Sequence, residues 1–165
     1  MRYLTWRDLS IGMTFQAGPV AITPTLVSEF ARITGDNAAL HTQPDAAART
    51  IYGGLVAHGM LGMSLAHGML RQALAGLHDD LIALTAVGAW RFHAPIRASD
   101  SLLARFEIIE LASHTGLPRG TATFTVTVLN GPGHNAQTGR TTLLIRTDPH
   151  SDAKATARAD GSPAG

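Results

Sequence analysis

Gly53-Gly54-Leu55-Val56-Ala57-His58-Gly59-Met60-Leu61-Gly62-Met63-Ser64-Leu65-Ala66-His67-Gly68-Met69-Leu70-Arg71-Gln72-Ala73-Leu74-Ala75-Gly76-Leu77 contains the longest helical candidate in the chain. From about Val56 to Leu77 its apolar residues run nearly all round a helix, the pattern of a helix wrapped on several sides. Gly59, Gly62 and Gly68 would each weaken it by ~1 kcal/mol relative to Ala, so the reading requires another backbone packed closely at those points. The window from Leu55 to Leu77 is also the most apolar long stretch. His58, His67, Arg71 and Gln72 are poor lipid-facing residues, so it reads as a buried helix and not a membrane span.

C-terminal to His78-Asp79-Asp80 the pattern changes to β. Candidate strands are Leu81–Phe92, Ser101–Leu111, Gly120–Leu129 and Gly139–Thr147. Thr121-Ala122-Thr123-Phe124-Thr125-Val126-Thr127-Val128 alternates strictly, with one polar face. Gly116, Pro118, Gly131, Pro132 and Gly133 supply turns between strands. On the N-terminal side, Leu9–Gly12 reads as a turn and Met13–Ile22 as a weak strand. Thr23-Pro24 opens a helix, with Thr23 as N-cap and Pro24 at the first position. Leu26, Val27, Phe30, Ala31 and Ile33 continue it at helical spacing, and Gly35 sits where a terminating glycine belongs. Pro44–Arg49 forms a short helix that Gly53-Gly54 ends. One strand, then helices, then consecutive strands predicts an α+β fold: an antiparallel sheet wrapped around one long helix.

A chain of 165 residues suits a single domain, placed here at residues 1–147. The stretch Asp148–Gly165 has no apolar residue larger than Ala and is expected to be a disordered tail. There are no cysteines, which excludes disulfides, thiolate chemistry and Cys-based zinc sites. A net charge of +1 gives no field for nucleic acid or an acidic membrane. Charged residues make up only 15% of the chain, against about 25% in typical soluble domains, which points to surface buried in an oligomer. Met1–Asp8 lacks the apolar run of a secretory leader, so a cytoplasmic protein is expected.

The candidate chemistry begins at Thr34-Gly35-Asp36-Asn37-Ala38-Ala39-Leu40-His41. Asp36 and His41 are five residues apart, which on a continuous helix would set them about 140° apart, on different faces. They reach one point only if the chain turns between them, and Gly35 and Asn37 permit a turn. The plainer reading, that Asp36 starts a turn and His41 packs nearby, stays open on spacing alone. Gly59 lies at the start of the long helix, where backbone N–H groups lack partners and the dipole is positive. Its N–H could hold a thioester oxygen that becomes enolate-like. Helix–strand packing explains the same glycine equally well. No H-x-x-x-H or H-E-x-x-H occurs, and no metal or other cofactor is expected. Ser64 is not in a G-x-S-x-G elbow, because position 66 is Ala. Arg91, Arg97, Arg140 and Arg146 read best as solvated positions on or near strands.

Gly35-Asp36-Asn37-Ala38-Ala39-Leu40-His41-Thr42-Gln43, followed by Gly54-Leu55-Val56-Ala57-His58-Gly59-Met60-Leu61, resembles the MaoC-type, (R)-specific enoyl-CoA hydratase family. Its motifs run roughly G-D-x-N-P-x-H-x-D and G-x-x-x-H-G-M-L. The stretch from Trp90 to Asp100 resembles the family's aromatic-x-x-Pro-Val-x-x-Gly-Asp strand and turn, and the likeness spans about residues 5 to 147. It implies a hot-dog fold that dimerises through a continuous sheet. It also implies Asp36 and His41 as a coupled acid/base pair acting on one water, and the Gly59 N–H as donor to the thioester oxygen. The substrate would be an acyl-CoA or acyl-carrier thioester, and the assembly a homodimer or higher even oligomer. Three positions depart from the pattern: Ala38 replaces an Asn that orders the catalytic loop, Ala39 a Pro, and Gln43 an Asp. His67 stands where the family often has a small residue, which narrows the acyl tunnel. Two other functions remain. A hot-dog thioesterase would place a carboxylate on or near the central helix, and Leu55–Leu77 has none. A non-catalytic acyl-thioester binding subunit is kept open by Ala38 and Ala39.

Overall fold

The computed structural model describes residues 4–77, 80–131 and 133–148. Apart from Asp148, the stretch expected to be a disordered tail lies outside these residues. Five strands form one antiparallel sheet: β1 (Thr14–Ala21), β2 (Leu81–Phe92), β3 (Ser101–Ser113), β4 (Arg119–Asn130) and β5 (His134–Arg146), in the order β1-β3-β4-β5-β2. Between β1 and β2 lie α1 (Pro24–Thr34), α2 (Ala39–Thr42), α3 (Pro44–Ala48) and α4 (Gly59–Ala73). The sheet curls over α4, as expected. Among the described residues no helix is long and apolar enough to cross a membrane.

The alternation in β4 does what its sequence predicts. Ala122, Phe124, Val126 and Val128 are buried, while Thr121, Thr123, Thr125 and Thr127 are half-exposed on the outer face. Leu102, Ala104, Phe106 and Ile108 of β3 join them against Leu61, Ala66, Met69 and Leu70 of α4. The core is thus one sheet face closed by one helix stripe.

Four expectations need correction. The long helix begins at Gly59, not Val56, because residues 55–57 form an extended strap. Val56 bridges Arg97, the Ala57 N–H donates to Ile96 O at 2.7 Å, and the Ala98 N–H to Leu55 O at 3.0 Å. It also ends at Ala73, with a separate 3-10 turn at Ala75–Leu77. Second, α4 is not wrapped on all sides within one chain. Met60, Ser64, Gly68, Arg71 and Gln72 are exposed, and the all-round apolar pattern came from counting Met and Gly. Third, close approach explains Gly62, where a Cβ would lie 2.5 Å from Gln137 Nε2 and 2.6 Å from Ile96 Cδ1, but not Gly68, which has open space. At Gly59 and Gly62 the close neighbours are side chains rather than a backbone. Fourth, β5 starts at His134 and not Gly139. Gly139 is mid-strand because the Trp90 ring lies over it, 2.2 Å from where a Cβ would stand.

Candidate functional site

Helix α1 is capped as its sequence predicts. The Thr23 side chain accepts from the Leu26 N–H, and Gly35 takes the left-handed conformation (φ 78°) with its N–H bonded to Ala31 O. A left-handed residue costs Gly nothing and turns the chain sharply. The turn that follows is held locally. The Ala38 N–H donates to Asp36 Oδ1 at 3.4 Å, the Asn37 side chain to Gly35 O at 3.2 Å, and the Thr42 hydroxyl to Ala38 O at 3.1 Å. One helical turn, α2, then carries His41. The chain therefore does turn between Asp36 and His41, as shared chemistry requires.

The strap completes the arrangement. His41 Nδ1 lies 2.6 Å from Val56 O. A carbonyl only accepts, so Nδ1 carries the proton and neutral His41 offers a lone pair at Nε2. His58, the last strap residue, has Nε2 at 2.9 Å from Asp36 O and 3.9 Å from Asp36 Oδ2. It donates to that carbonyl and ties the Asp36 turn down onto the start of α4. The His58 ring stacks on His41 at 3.8 Å between centroids and packs against Phe30 at 5.2 Å. His58 is 4% exposed and its Nδ1 is buried without a partner among the described residues, whereas the Asp36 side chain is 58% exposed. Sequence reading passed over His58. Its partner at position 36 is 22 residues away, and no local spacing announces the contact.

Asp36, His41, His58, Gly59 and Met60 line a cleft of about 160 Å³. Gly59 and Met60 also line a neighbouring groove of about 510 Å³, walled by Leu40, Tyr52, Phe92 and Gln137. The Leu61 and Gly62 N–H groups both donate to His58 O. The Gly59 and Met60 N–H groups have no backbone acceptor among the described residues, as at any helix start. A carbonyl at the junction of cleft and groove would meet these donors at the positive end of α4.

Asp36, His41 and His58 also bring one donor atom each within 4.8 Å of one another, a grouping that no sequence motif signalled. A cation held there would compete with the carbonyl bond of His58 Nε2. His67, the expected tunnel-narrowing residue, lies between α4 and the sheet. Its Nδ1 is 2.9 Å from Met63 O, its Nε2 is 3.0 Å from Thr141 Oγ1, and its ring stacks on Trp90. Of the four arginines, Arg97 donates to Tyr52 O and Arg146 lies 3.7 Å from Asp80. Arg91 and Arg140 are exposed on β2 and β5, as solvated strand positions should be.

The chain has relatives among known proteins. The family described as MaoC like domain matches residues 8–130. The 3-hydroxybutyryl-CoA dehydratase of Methylorubrum extorquens is 32% identical over 111 residues, covering 67% of this chain and 68% of that protein. The (R)-hydratase of A. caviae involved in PHA biosynthesis superposes with a TM-score of 0.70 at 27% identity, covering 83% of this chain and 97% of the other. A conserved Mycobacterium tuberculosis protein described as a double hot-dog fold gives a TM-score of 0.76 at 23% identity, covering 98% of this chain and 46% of that one.

Proposed function

The chain belongs to the MaoC-like domain family, with a hot-dog fold and homologues named as dehydratases and hydratases, and from that premise we propose that it reversibly hydrates a trans-2-enoyl thioester to an (R)-3-hydroxyacyl thioester. One observation carries the reading: Asp36 and His41 line one cleft with the start of α4, and among the described residues the Gly59 N–H has no backbone acceptor. A water held between the Asp36 carboxylate and His41 Nε2 gives a proton to this pair as its oxygen bonds to Cβ. The electrons of the C=C bond move to the thioester carbonyl, whose oxygen accepts from the Gly59 N–H. The pair then returns a proton to Cα. The reverse sequence removes water from the 3-hydroxyacyl thioester. Asp36 and His41 act as a coupled unit, so neither is assigned a single transfer.

The adjoining groove suits the acyl-CoA or acyl-carrier thioester. His67, Trp90 and Thr141 fill the space between α4 and the sheet, which favours a short acyl chain. The active form in this reading is a homodimer. Edge strand β2 exposes Ile82, Leu84 and Val87 and has a side with no partner strand among the described residues, and an apolar edge of this kind invites a second copy. Helix α4 carries no Asp or Glu, which counts against a thioesterase that uses a carboxylate on its central helix.

The test is turnover of a panel of short, long and branched enoyl-CoAs, followed by loss of the enoyl absorbance. Asp36→Asn and His41→Ala should each lower kcat by roughly 10²–10⁴ in a folded protein, the scale of general acid/base groups. Their combined effect should fall well short of the product. Near-normal turnover by either variant would refute the assignment. Tight acyl-CoA binding without turnover of any panel member would favour the non-catalytic binding subunit.

A further inference from the structure

We propose that Gln137 is a positioning residue that holds the first turn of α4, and with it the Gly59 and Met60 N–H donors, toward the substrate carbonyl, an inference that rests on the oxyanion role of Gly59 given above. Gln137, on β5, is 1% exposed. Its Nε2 donates to Gly59 O at 3.0 Å, and its Oε1 accepts from Trp90 Nε1 at 3.1 Å. An indole N–H can only donate, so Trp90 fixes which end of the amide faces it and leaves the NH₂ group for Gly59. The result is a chain of contacts from β2 through β5 to the first residue of α4.

Several local sacrifices converge on this chain. A buried amide is unfavourable in an apolar core unless it is satisfied. Gly62 weakens the helix interior, yet a Cβ there would lie 2.5 Å from Gln137 Nε2. Gly139 weakens β5, yet a Cβ there would collide with Trp90. Ala89, next to Trp90, takes a left-handed backbone (φ 49°), and the pairing of β2 with β5 shifts register between Gly88 and Arg91. That is costly for a residue with a side chain. Leucine at 137 would have filled the space with no buried amide to satisfy. What the arrangement secures is a bond from β5 to the Gly59 carbonyl. That bond fixes the plane of the peptide between Gly59 and Met60 and polarises it, so that the Met60 N–H becomes a stronger donor.

Three variants test the proposal. Gln137→Met keeps volume and removes both hydrogen bonds, Trp90→Phe removes only the brace on Oε1, and Gln137→Glu supplies a donor only when its carboxyl is protonated. With the best enoyl-CoA, Gln137→Met should lower kcat by about 10- to 100-fold with KM little changed, the cost of a slightly misaimed catalytic group. Trp90→Phe should fall between it and wild type. Gln137→Glu should recover activity relative to Gln137→Met at the acid end of the pH profile and lose it as pH rises, which a pure packing role would not do. Gln137→Met within about twofold of wild-type kcat, or Gln137→Glu no better than Gln137→Met at any pH, overturns the proposal. If the wild-type protein turns over no thioester, the hydratase reading fails separately. Amide hydrogen exchange at residues 59–62 then decides: faster exchange in folded Gln137→Met supports the brace, and unchanged exchange overturns it.

Discussion

Gly59→Val separates chemistry from packing at the start of α4. A Cβ at position 59 would stand 2.8 Å from Phe92 Cε1 and 3.0 Å from Cδ1. The added side chain therefore points into the groove that Phe92 also lines. Phe92 is 54% exposed, so its ring can swing toward solvent. The stability cost should stay near the low end of the ~1–3 kcal/mol typical of overpacking. Blocking the oxygen's approach to the position-59 N–H, which valine keeps, should cost far more in rate: roughly 10²–10³-fold in kcat/KM, or about 3–4 kcal/mol of transition-state stabilisation. The double variant Gly59→Val with Phe92→Ala removes the clash. It should regain the lost melting temperature and not the lost turnover. The assay is enoyl-CoA hydration alongside thermal melts and circular dichroism, with Phe92→Ala alone as the reference. If Phe92→Ala restores turnover to Gly59→Val, the defect was steric crowding and the thioester oxygen binds elsewhere.

Two further substitutions test other parts of the site and its assembly. His58→Gln keeps an N–H that can reach Asp36 O, whereas His58→Phe keeps the ring on His41 and removes the donor from that part-buried carbonyl, at a cost of about 0.5–1.5 kcal/mol. The Gln variant should therefore be the more active and the more stable, and a fully active His58→Phe would show that the tie to Asp36 is dispensable. Wild-type protein should scatter light at a multiple of the 17.4 kDa chain mass, and Leu84→Glu on the β2 edge should reduce it to a single chain. A wild-type mass near one chain would refute assembly through this edge.

The sheet was largely legible because its pattern is local. Thr-x-Thr-x-Thr-x-Thr in β4 declares one polar face, and β2 was placed at Leu81–Phe92 in both the sequence reading and the structure. The turn joining Asp36 to His41 was legible for the same reason, since Gly35 and Asn37 act within a few residues. The strap at 55–57 was not. Its apolar residues satisfy a helical period, and only bonding to Ile96, Arg97 and Ala98, some 40 residues away, pulls them straight. His58 and Gln137 were missed because their partners are distant in sequence. Gln137 did leave a trace in Gly62 and Gly139, glycines inside regular elements with no turn to justify them, and in Trp90, which needs a polar partner when half-buried.

The strap has a consequence for how this protein could change its substrate. The carbonyl of Val56 orients His41, and three residues later Gly59 begins α4. The spacing between the anchor of His41 and the Gly59 amide is therefore written into contiguous covalent chain, not negotiated between separately packed pieces. The groove walls at Leu40, Tyr52 and Phe92 come from other segments. If the site works as proposed, drift at those positions can retune which acyl group is accepted while the reacting atoms keep their registration, so recognition and reactivity form two nearly independent dials. A variant library confined to the walls should yield new selectivities at modest loss of rate, whereas the same number of changes in the strap should yield mostly inactive protein.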